Sequence, residues 1–320
     1  MDSLYATVTN TSDIISVTYT DSFKAATSTC EVAAVTSSLS IGDSVTVYIG
    51  YTGDNFKCIT GYVKNIEYKE PERYYTISIA NALIRALDYF IASADPENPF
   101  SRQNISAEDL VEDLLNLSGL TNFVSDTTNF TFAINNPVEV NLTGCYDYCH
   151  FLASIIAFTL YADNNGQVHL EDRRPYPVGS EPADYTWNVS GGTFIDATYG
   201  ISDKDIRNKV IVYGSEGIHA EASAVSPYLP SGYYRTVVVA AAGVIDSQSM
   251  AQQAANYNLD LLNRLTESVN ITMIGTTGIA PRTIATITIP DLGVSGKWFV
   301  HGVEHKWDKT GYITTVDCKR

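Results

Sequence analysis

The segment from Trp298 to Cys318 most constrains the fold, because its pattern predicts two strands joined by a tight turn. In the first strand two sets of residues alternate, namely Val300, Gly302, Glu304 and Lys306 with His301, Val303, His305 and Trp307. Asp308 to Gly311 supply the turn, and the alternation starts again at Tyr312. A last strand that is paired in a sheet is held in place, so we expect a structural element here rather than a loose tail.

The composition favours a β-rich globular protein with hydrophobic cores. The chain has 320 residues, enough for two or three domains, and 45% of them are hydrophobic. Its 21 tyrosines suit pleated sheets, on which aromatic and β-branched side chains pack well. No apolar run approaches the roughly 20 residues that span a bilayer, and the first residues carry no secretion signal. We therefore expect no membrane insertion and a protein that stays in the cytoplasm where it is made, or leaves it by assembly or lysis.

The charge of the chain is strongly negative. It has 36 acidic and 20 basic residues, for a formal net charge of −16. Such a surface repels nucleic acid, which disfavours a DNA-binding role. The same sign of charge would suit the wall of a channel through which DNA slides without sticking.

Residues 1–95 predict an all-β unit, because short alternating segments are separated by turn residues. The candidate strands are Ile14–Tyr19, Thr29–Val35, Ser44–Tyr51, Phe56–Tyr68 and Tyr74–Ile79. A short helix is predicted within 81–93. A spacing of roughly 10–15 residues per strand is typical of a small closed or nearly closed barrel.

Residues 96–188 predict a small α+β middle domain that follows a proline-containing breaker at 95–99. Ser106 is placed to cap a first helix, and leucines at helical spacing follow it. A second helix is predicted at about Asp147–Phe158 and a hairpin turn at Asp163–Gly166. A domain boundary is predicted at Arg173–Pro182.

Residues 189–320 predict a second β-barrel unit with one packed helix. The candidate strands are Asn208–Gly214, Arg235–Ala240, Ser268–Ile274, Ala280–Ile289, Trp298–Val303 and Tyr312–Cys318. The helix is capped by Asp246 or Ser247, and its apolar stripe is Met250, Ala254, Tyr257 or Asn258, Leu261 and Leu265. The predicted fold class is therefore β-rich α+β, with two β-barrel units flanking a small α+β middle domain.

Two groups of residues have the side-chain types that bind metals. His301 and His305 are four apart, but on a strand that spacing separates them by about 13 Å, too far to share an ion. Cys145, Cys149 and His150 cluster within six residues, yet no second cluster completes a tetrahedral site. We expect strand histidines in the first case and buried thiols in the second. The five cysteines are scattered and do not predict a disulfide framework.

Catalytic signals are weak throughout the chain. Paired acids could in principle cut a glycan, and the acids of the middle domain are Asp147, Asp163, Glu171 and Asp172. Acids also occupy turns and helix starts for structural reasons, so we predict no catalytic, cofactor-binding or metal-binding residue and no cofactor. Asp163–Gly166 is too short for a calcium loop and predicts a hairpin turn. The basic pair Arg173 and Arg174 predicts a solvated strand end.

Three features together resemble the baseplate or tail hub proteins of bacteriophages and related injection machines, of the late-control-D type. The first is the order of parts, with a turn and strand at Gly42-Asp-Ser-Val45 in the first unit. The second is Arg207-Asn-Lys-Val-Ile-Val-Tyr-Gly214, followed at a distance by an alanine-rich helix. The third is the ending Trp298-Phe-Val-His-Gly-Val-Glu-His305 with Gly311-Tyr-Ile-Thr-Thr-Val316. The resemblance covers nearly the whole chain and carries no active-site residue.

The resemblance implies a structural role in the virion tail, assembled in the cytoplasm of the bacterial host. Such hubs are homotrimers in which each subunit contributes two tail-tube-like barrels, so that a ring with pseudo-sixfold symmetry joins the tail tube to a central spike. The implied partners are the tail tube or distal tail protein, the spike, the tape measure protein and wedge or other baseplate proteins, while DNA passes without specific binding. A distal tail ring, a receptor-binding tail module and a cell-wall hydrolase remain as alternatives.

Overall fold

A computed structural model describes residues 3–95, 97–172, 181–264 and 266–320. The chain is β-rich, with four α-helices in the described ranges. The predicted strand end at Arg173 and Arg174, and the helix-stripe position Leu265, lie outside these ranges. None of the helices in the described part of the chain is long and apolar enough to cross a membrane.

The strands are numbered in chain order. Those of the first part are β1 (Leu4–Val8), β2 (Thr11–Ser22), β3 (Thr29–Ser37), β4 (Ser44–Tyr51), β5 (Asp54–Lys69) and β6 (Tyr74–Asn81). Those of the middle part are β7 (Phe90–Ile91), β8 (Phe100–Arg102), β9 (Ile105–Ser106), β10 (Phe123–Ser125), β11 (Thr131–Phe132), β12 (Val138–Val140), β13 (Thr143–Gly144), β14 (Thr159–Ala162) and β15 (Val168–Glu171). Those of the last part are β16 (Tyr185–Asn188), β17 (Phe194–Ser202), β18 (Lys209–Tyr213), β19 (His219–Ser223), β20 (Thr236–Ala240), β21 (Thr266–Ile274), β22 (Ile284–Ile289), β23 (Val294–Asp308) and β24 (Gly311–Lys319). The helices are α1 (Ile84–Asp88), α2 (Ala107–Leu117), α3 (Cys145–Ile155) and α4 (Gln248–Leu262).

The first six strands pair in a ring. Their order is β1-β4-β5-β6-β3-β2, and β1 closes the ring because Val8 also pairs with Thr11 of β2. Alternation explains why these segments form strands with a packed interior: Val45, Val47 and Ile49 of β4 are buried while the residues between them are more exposed. The predicted strands of this part are confirmed, and β1 is an addition to them.

The strands from the two ends of the chain belong to one twelve-stranded sheet. β2 pairs with β23, from which the order continues through β24 and β21 to β17, while β22 joins β23 to β16. The predicted C-terminal strand pair is confirmed, since β24 pairs antiparallel along its whole length with residues Phe299 to Asp308 of β23. Asp308 closes the turn by accepting hydrogen bonds from the backbone N–H groups of Thr310 and Gly311, at 2.7 and 3.0 Å. One hydrophobic cluster fills the interior of the sheet.

A β-bulge at His301 interrupts the alternation of β23. Val300 pairs with Cys318 and Gly302 pairs with Asp317, which leaves His301 as the extra residue. Burial alternates from Val303 to Asp308 as the sequence predicts, but every residue from 298 to 303 is buried. The alternation predicted for Val300 to Gly302 was therefore wrong, because one inserted residue changes which face each side chain meets.

The helices and the shorter strands build a second hydrophobic cluster. Side chains of α1, α2, α3, β14 and β15 form one part of this cluster. Side chains of α4, β18 and β19 form the rest. The predicted caps are confirmed: Ser106 accepts from the Asp109 N–H group, and Ser247 accepts from that of Met250. α3 ends at Ile155, three residues before the predicted end, because Ala157 has a φ of 57° and reverses the chain.

Candidate functional site

The hairpin of β14 and β15 meets the large sheet through charged and aromatic side chains. We call this group the polar junction: Asp21 and Arg282 on the side of the sheet, and Tyr161, Asp163 and His169 on the hairpin. Asp21 lies on β2, and Arg282 lies two residues before β22. The hairpin turn from Asp163 to Gly166 forms as predicted, and Gly166 has the positive φ of 82° that such turns favour.

Arg282 forms a buried ion pair at the centre of the polar junction. Its Nη2 lies 2.7 Å from Oδ2 of Asp21, and the two side chains are only 7% and 6% exposed. The guanidinium carbon lies 4.1 Å from the centroid of the Tyr161 ring. The backbone at Arg282 has a φ of 70°, which is unusual for a residue with a side chain, and its N–H donates to the carbonyl of Val300. The ion pair thus ties the start of β22 to β2 and to the hairpin.

His169 is the second cation of the polar junction. Its ring stacks on Tyr161, with centroids 4.9 Å apart and planes inclined by 8°. Its Nδ1 lies 3.1 Å from Glu171, and its Nε2 lies 3.7 Å from Asp163, an ion-pair distance rather than a hydrogen bond. Asp163 and then Glu171 raise the pKa of His169 to about 9, so the ring is charged at neutral pH. This pairing stabilises the fold fully below the ordinary histidine pKa of about 6.5 and loses that effect as the pH rises through about 9.

A cleft of about 500 Å³ lies beside the polar junction, and the junction residues Asp21, Tyr161, Asp163 and Arg282 line it. Four of the acidic side chains that line it, those of Asp21, Asp163, Glu171 and Asp184, are engaged in local structure. Asp163 accepts from the backbone N–H groups of Asn165 and Gln167, which with His169 outweigh the effect of burial and lower its pKa. Asp184 accepts from the N–H of Ile284 at 2.8 Å. The arrangement holds the hairpin, β2 and β22 together.

The acids considered for catalysis are only partly brought together. Asp163 and Glu171 converge on the same imidazole, that of His169. Asp147 lies instead in the first turn of α3, and Asp172 follows the end of β15, where its backbone N–H donates to Asp126. The sequence did not predict the junction between Asp21 and Arg282. Arg282 is the only basic residue in the largely apolar segment 279–289, and this could have indicated a buried ion pair, because a buried cation needs a partner.

The cysteine cluster consists of buried thiols, as predicted. Cys145 and Cys149 are fully buried and free, and the Cys145 thiol donates to the carbonyl of Leu114 at 3.2 Å. The neighbouring Cys145 thiol and burial raise the pKa of Cys149, whose thiol faces the carbonyl of Val111 at 4.0 Å. His150 stacks on Tyr146, with ring centroids 5.6 Å apart. Within the described ranges, no group of three His, Cys, Asp or Glu side chains is arranged to hold a metal ion.

The two strand histidines have separate environments. His301 lies 3.1 Å from Asp317 across the strand pair and contacts the ring of Phe23. His305 is fully buried, and its Nε2 lies 3.3 Å from the carbonyl of Ile279, which can only accept. That contact assigns the proton to Nε2 and leaves Nδ1 as an acceptor for the Tyr312 hydroxyl at 2.7 Å. The prediction that these are structural strand histidines agrees with these contacts.

We expect the protein to lose stability between pH 6.5 and pH 4 through His305. Burial lowers the pKa of His305 to about 4, whereas the unfolded chain binds the proton near pH 6.5. The unfolded state therefore binds more protons in that interval, and the free energy of unfolding falls as the pH falls. Urea unfolding of the wild type and of His305→Gln at pH 7, 5.5 and 4.5 measures the effect. Equal pH dependence in both proteins would contradict it.

Comparison with known proteins gives structural matches only. No family model matches the chain, and no curated protein matches it either. A tail protein from Neisseria meningitidis has a TM-score of 0.72 at 12% identity, and the alignment covers 99% of this chain and 96% of that one. A 43 kDa tail protein of prophage MuSo2 from Shewanella oneidensis has a TM-score of 0.71 at 14% identity, covering 99% and 98% of the two chains.

The chain has the fold of phage tail proteins. The same fold extends to an Escherichia coli component of the type VI secretion system, with a TM-score of 0.59 at 10% identity over 98% of this chain and 76% of the other. That protein is described as structurally similar to the T4 bacteriophage tail proteins gp27 and gp5. The suspected resemblance to a tail or baseplate hub is thus confirmed at the level of the fold, for a β-rich chain with a ring-like sheet.

Proposed function

We propose that this protein is the structural hub of a phage tail baseplate or of a related tail-like machine. In this role three copies form a ring with pseudo-sixfold symmetry, which joins the tail tube to a central spike. The observation that carries the proposal is the fold shared with two tail proteins over 99% of the chain. The fold is the part that these matches establish, and the function follows as our inference from it.

The arrangement of strands supports a wall-forming role. Strands β1 to β6 already pair in a ring, and β2 joins them directly to β23, so the wall continues without a break into the C-terminal strands. In the proposed hub, each chain contributes two tail-tube-like barrels, and the three units are 1–95, 96–188 and 189–320. Continuous hydrogen bonding across the sheet would give the rigidity that such a ring needs.

The proposed partners follow from this place in the tail. They are the tail tube or distal tail protein above, the central spike below, the tape measure protein, and wedge or other baseplate proteins at the periphery. A solved PdpA–VgrG complex from Francisella contains a chain of which 48% matches this fold, with a TM-score of 0.54. A formal charge of −16 supports a lumen that repels DNA, so that DNA passes without specific binding. The role is structural rather than catalytic, and the protein belongs in the virion tail, assembled in the host cytoplasm.

We expect the purified protein to form a trimer. Native mass spectrometry should give a particle three times the mass of the 34.9 kDa chain, and negative-stain averages should show a threefold ring. A sixfold ring would favour a distal tail ring instead. A monomer that binds glycans would favour a receptor-binding module, and cleared bands in a peptidoglycan zymogram would favour a cell-wall hydrolase. Each of these three results contradicts the hub.

A further inference from the structure

β17 and β20 are among the strands that lie at the edge of a sheet in the described part of the chain. β17 pairs only with β21, and β20 pairs only with β18. Exposed apolar side chains crowd these edges and the loop that leads into β20. We call them the apolar surface: Ile195, Tyr199, Ile201, Val225, Tyr228, Tyr233, Tyr234 and Val238. An open strand edge of this kind pairs readily with another chain, so a protein that must stay soluble needs it covered.

The two edges meet at an ion pair. Arg235 precedes β20, and its Nη2 lies 2.8 Å from Oδ2 of Asp203, which directly follows β17. Its Nη1 also donates to the Asp203 carbonyl. Ile201 and Tyr234 each lie within two residues of this pair, with 58% and 52% of their surfaces exposed. The apolar residues of β17 therefore adjoin those of the loop before β20, although β17 and β20 belong to different sheets.

The apolar surface is nearly free of charge in a strongly acidic chain. Residues 194–203 hold two acids, Asp196 and Asp203, and residues 224–240 hold one base, Arg235, which pairs with Asp203, so together they carry a formal charge of only −1. Two copies of a chain with a net charge of −16 repel each other wherever acidic faces approach. A face with so little charge keeps that repulsion small, and exposed tyrosines are the side chains that protein interfaces favour. These properties fit a second copy of this chain better than a cationic partner, which would select an acidic face.

We infer that the apolar surface is where neighbouring copies of this chain contact each other. The inference rests on the proposed ring and goes beyond it by naming the residues that hold the ring together. In the assembled ring the neighbour covers the open edges of β17 and β20 and removes the exposed tyrosines and valines from water. The ring then leaves none of these apolar residues exposed to solvent.

The test is a double substitution, Ile201→Glu with Val238→Glu. Both residues are more than half exposed, so the fold of the single chain should be unaffected, which circular dichroism can check. Two carboxylates placed in a desolvated contact should raise the dissociation constant of the oligomer by on the order of 100-fold. Mass photometry across a range of concentrations measures this shift. The matched control is Val35→Glu with Ile41→Glu, which changes two exposed apolar residues outside the surface.

The outcomes separate this inference from the proposed function. A wild-type oligomer that dissociates only with the double substitution supports the apolar surface as the contact. An oligomer that survives the substitution, or that the control substitution weakens equally, overturns the surface and leaves the hub in place. A wild-type chain that stays monomeric at every concentration overturns both. If the monomer instead captures a different tail protein through this surface, a second copy is not its occupant.

Discussion

Replacing Arg282 with methionine should lower the free energy of unfolding by about 3–5 kcal/mol at pH 7. The methionine fills much of the same space but leaves the carboxylate of Asp21, which is only 6% exposed, without its cation. It also removes the guanidinium from the face of Tyr161 and so weakens the contact between the sheet and the hairpin. Urea unfolding at one fixed protein concentration measures the change, because any association adds to the apparent stability.

Two further variants show whether burial is the cause. Arg102 forms an ion pair with Asp113 on the surface, where both side chains are more than a third exposed, so Arg102→Met should cost no more than about 1 kcal/mol. Combining Arg282→Met with Asp21→Asn removes the orphaned charge, so the double variant should be more stable than Arg282→Met alone. A loss below about 1 kcal/mol for Arg282→Met would show that the polar junction is dispensable.

The sequence predicted those elements whose signals are local. The C-terminal strand pair was found because Asp308 to Gly311 combine turn residues between two alternating segments, and that turn forms as expected. The helices were found because Ser106 and Ser247 stand directly before apolar stripes and cap them in the structure. In each case a few neighbouring residues contain the whole physical reason for the element.

The features that the sequence did not predict depend mostly on contacts between residues that are distant along the chain. Asp21 and Arg282 are 261 positions apart, and nothing beside either residue identifies the other. β17 was not predicted because the extra residue Ile195 interrupts its pattern, which leaves only Ala197, Tyr199 and Ile201 alternating with polar residues or glycine. The bulge at His301 was missed because an inserted residue leaves no trace in composition. The candidate site therefore became visible only once the hairpin and the sheet were seen together.

The second large effect is expected from Gly275→Ala, which introduces one methyl group beside the C-terminal strand pair. A Cβ atom at Gly275 would lie 2.0 Å from Cδ1 of the Tyr312 ring, far inside any real contact distance. Tyr312 cannot turn away freely, because it is buried and its hydroxyl lies 2.7 Å from Nδ1 of His305. We expect the free energy of unfolding to fall by about 3 kcal/mol or more, at the upper end of the range for overpacking.

The matched control for this substitution is Gly311→Ala, because Gly311 is the first residue of β24 and directly precedes Tyr312. No atom lies within 4 Å of a Cβ built there and its φ is not positive, so this change should alter stability by less than about 0.5 kcal/mol.

A double variant tests whether the contact with Tyr312 is the cause. Removing the aromatic side chain with Tyr312→Ala should itself destabilise the core by about 3–5 kcal/mol, yet it vacates the space that the new methyl group needs. The double variant should therefore be clearly more stable than the sum of the two single losses predicts. Additive losses in thermal or urea unfolding would mean that Gly275 is required for a reason other than contact with Tyr312. Non-additive losses would show that close packing between Gly275 and Tyr312 holds β21 against the C-terminal strand pair, and with it the wall of the proposed ring.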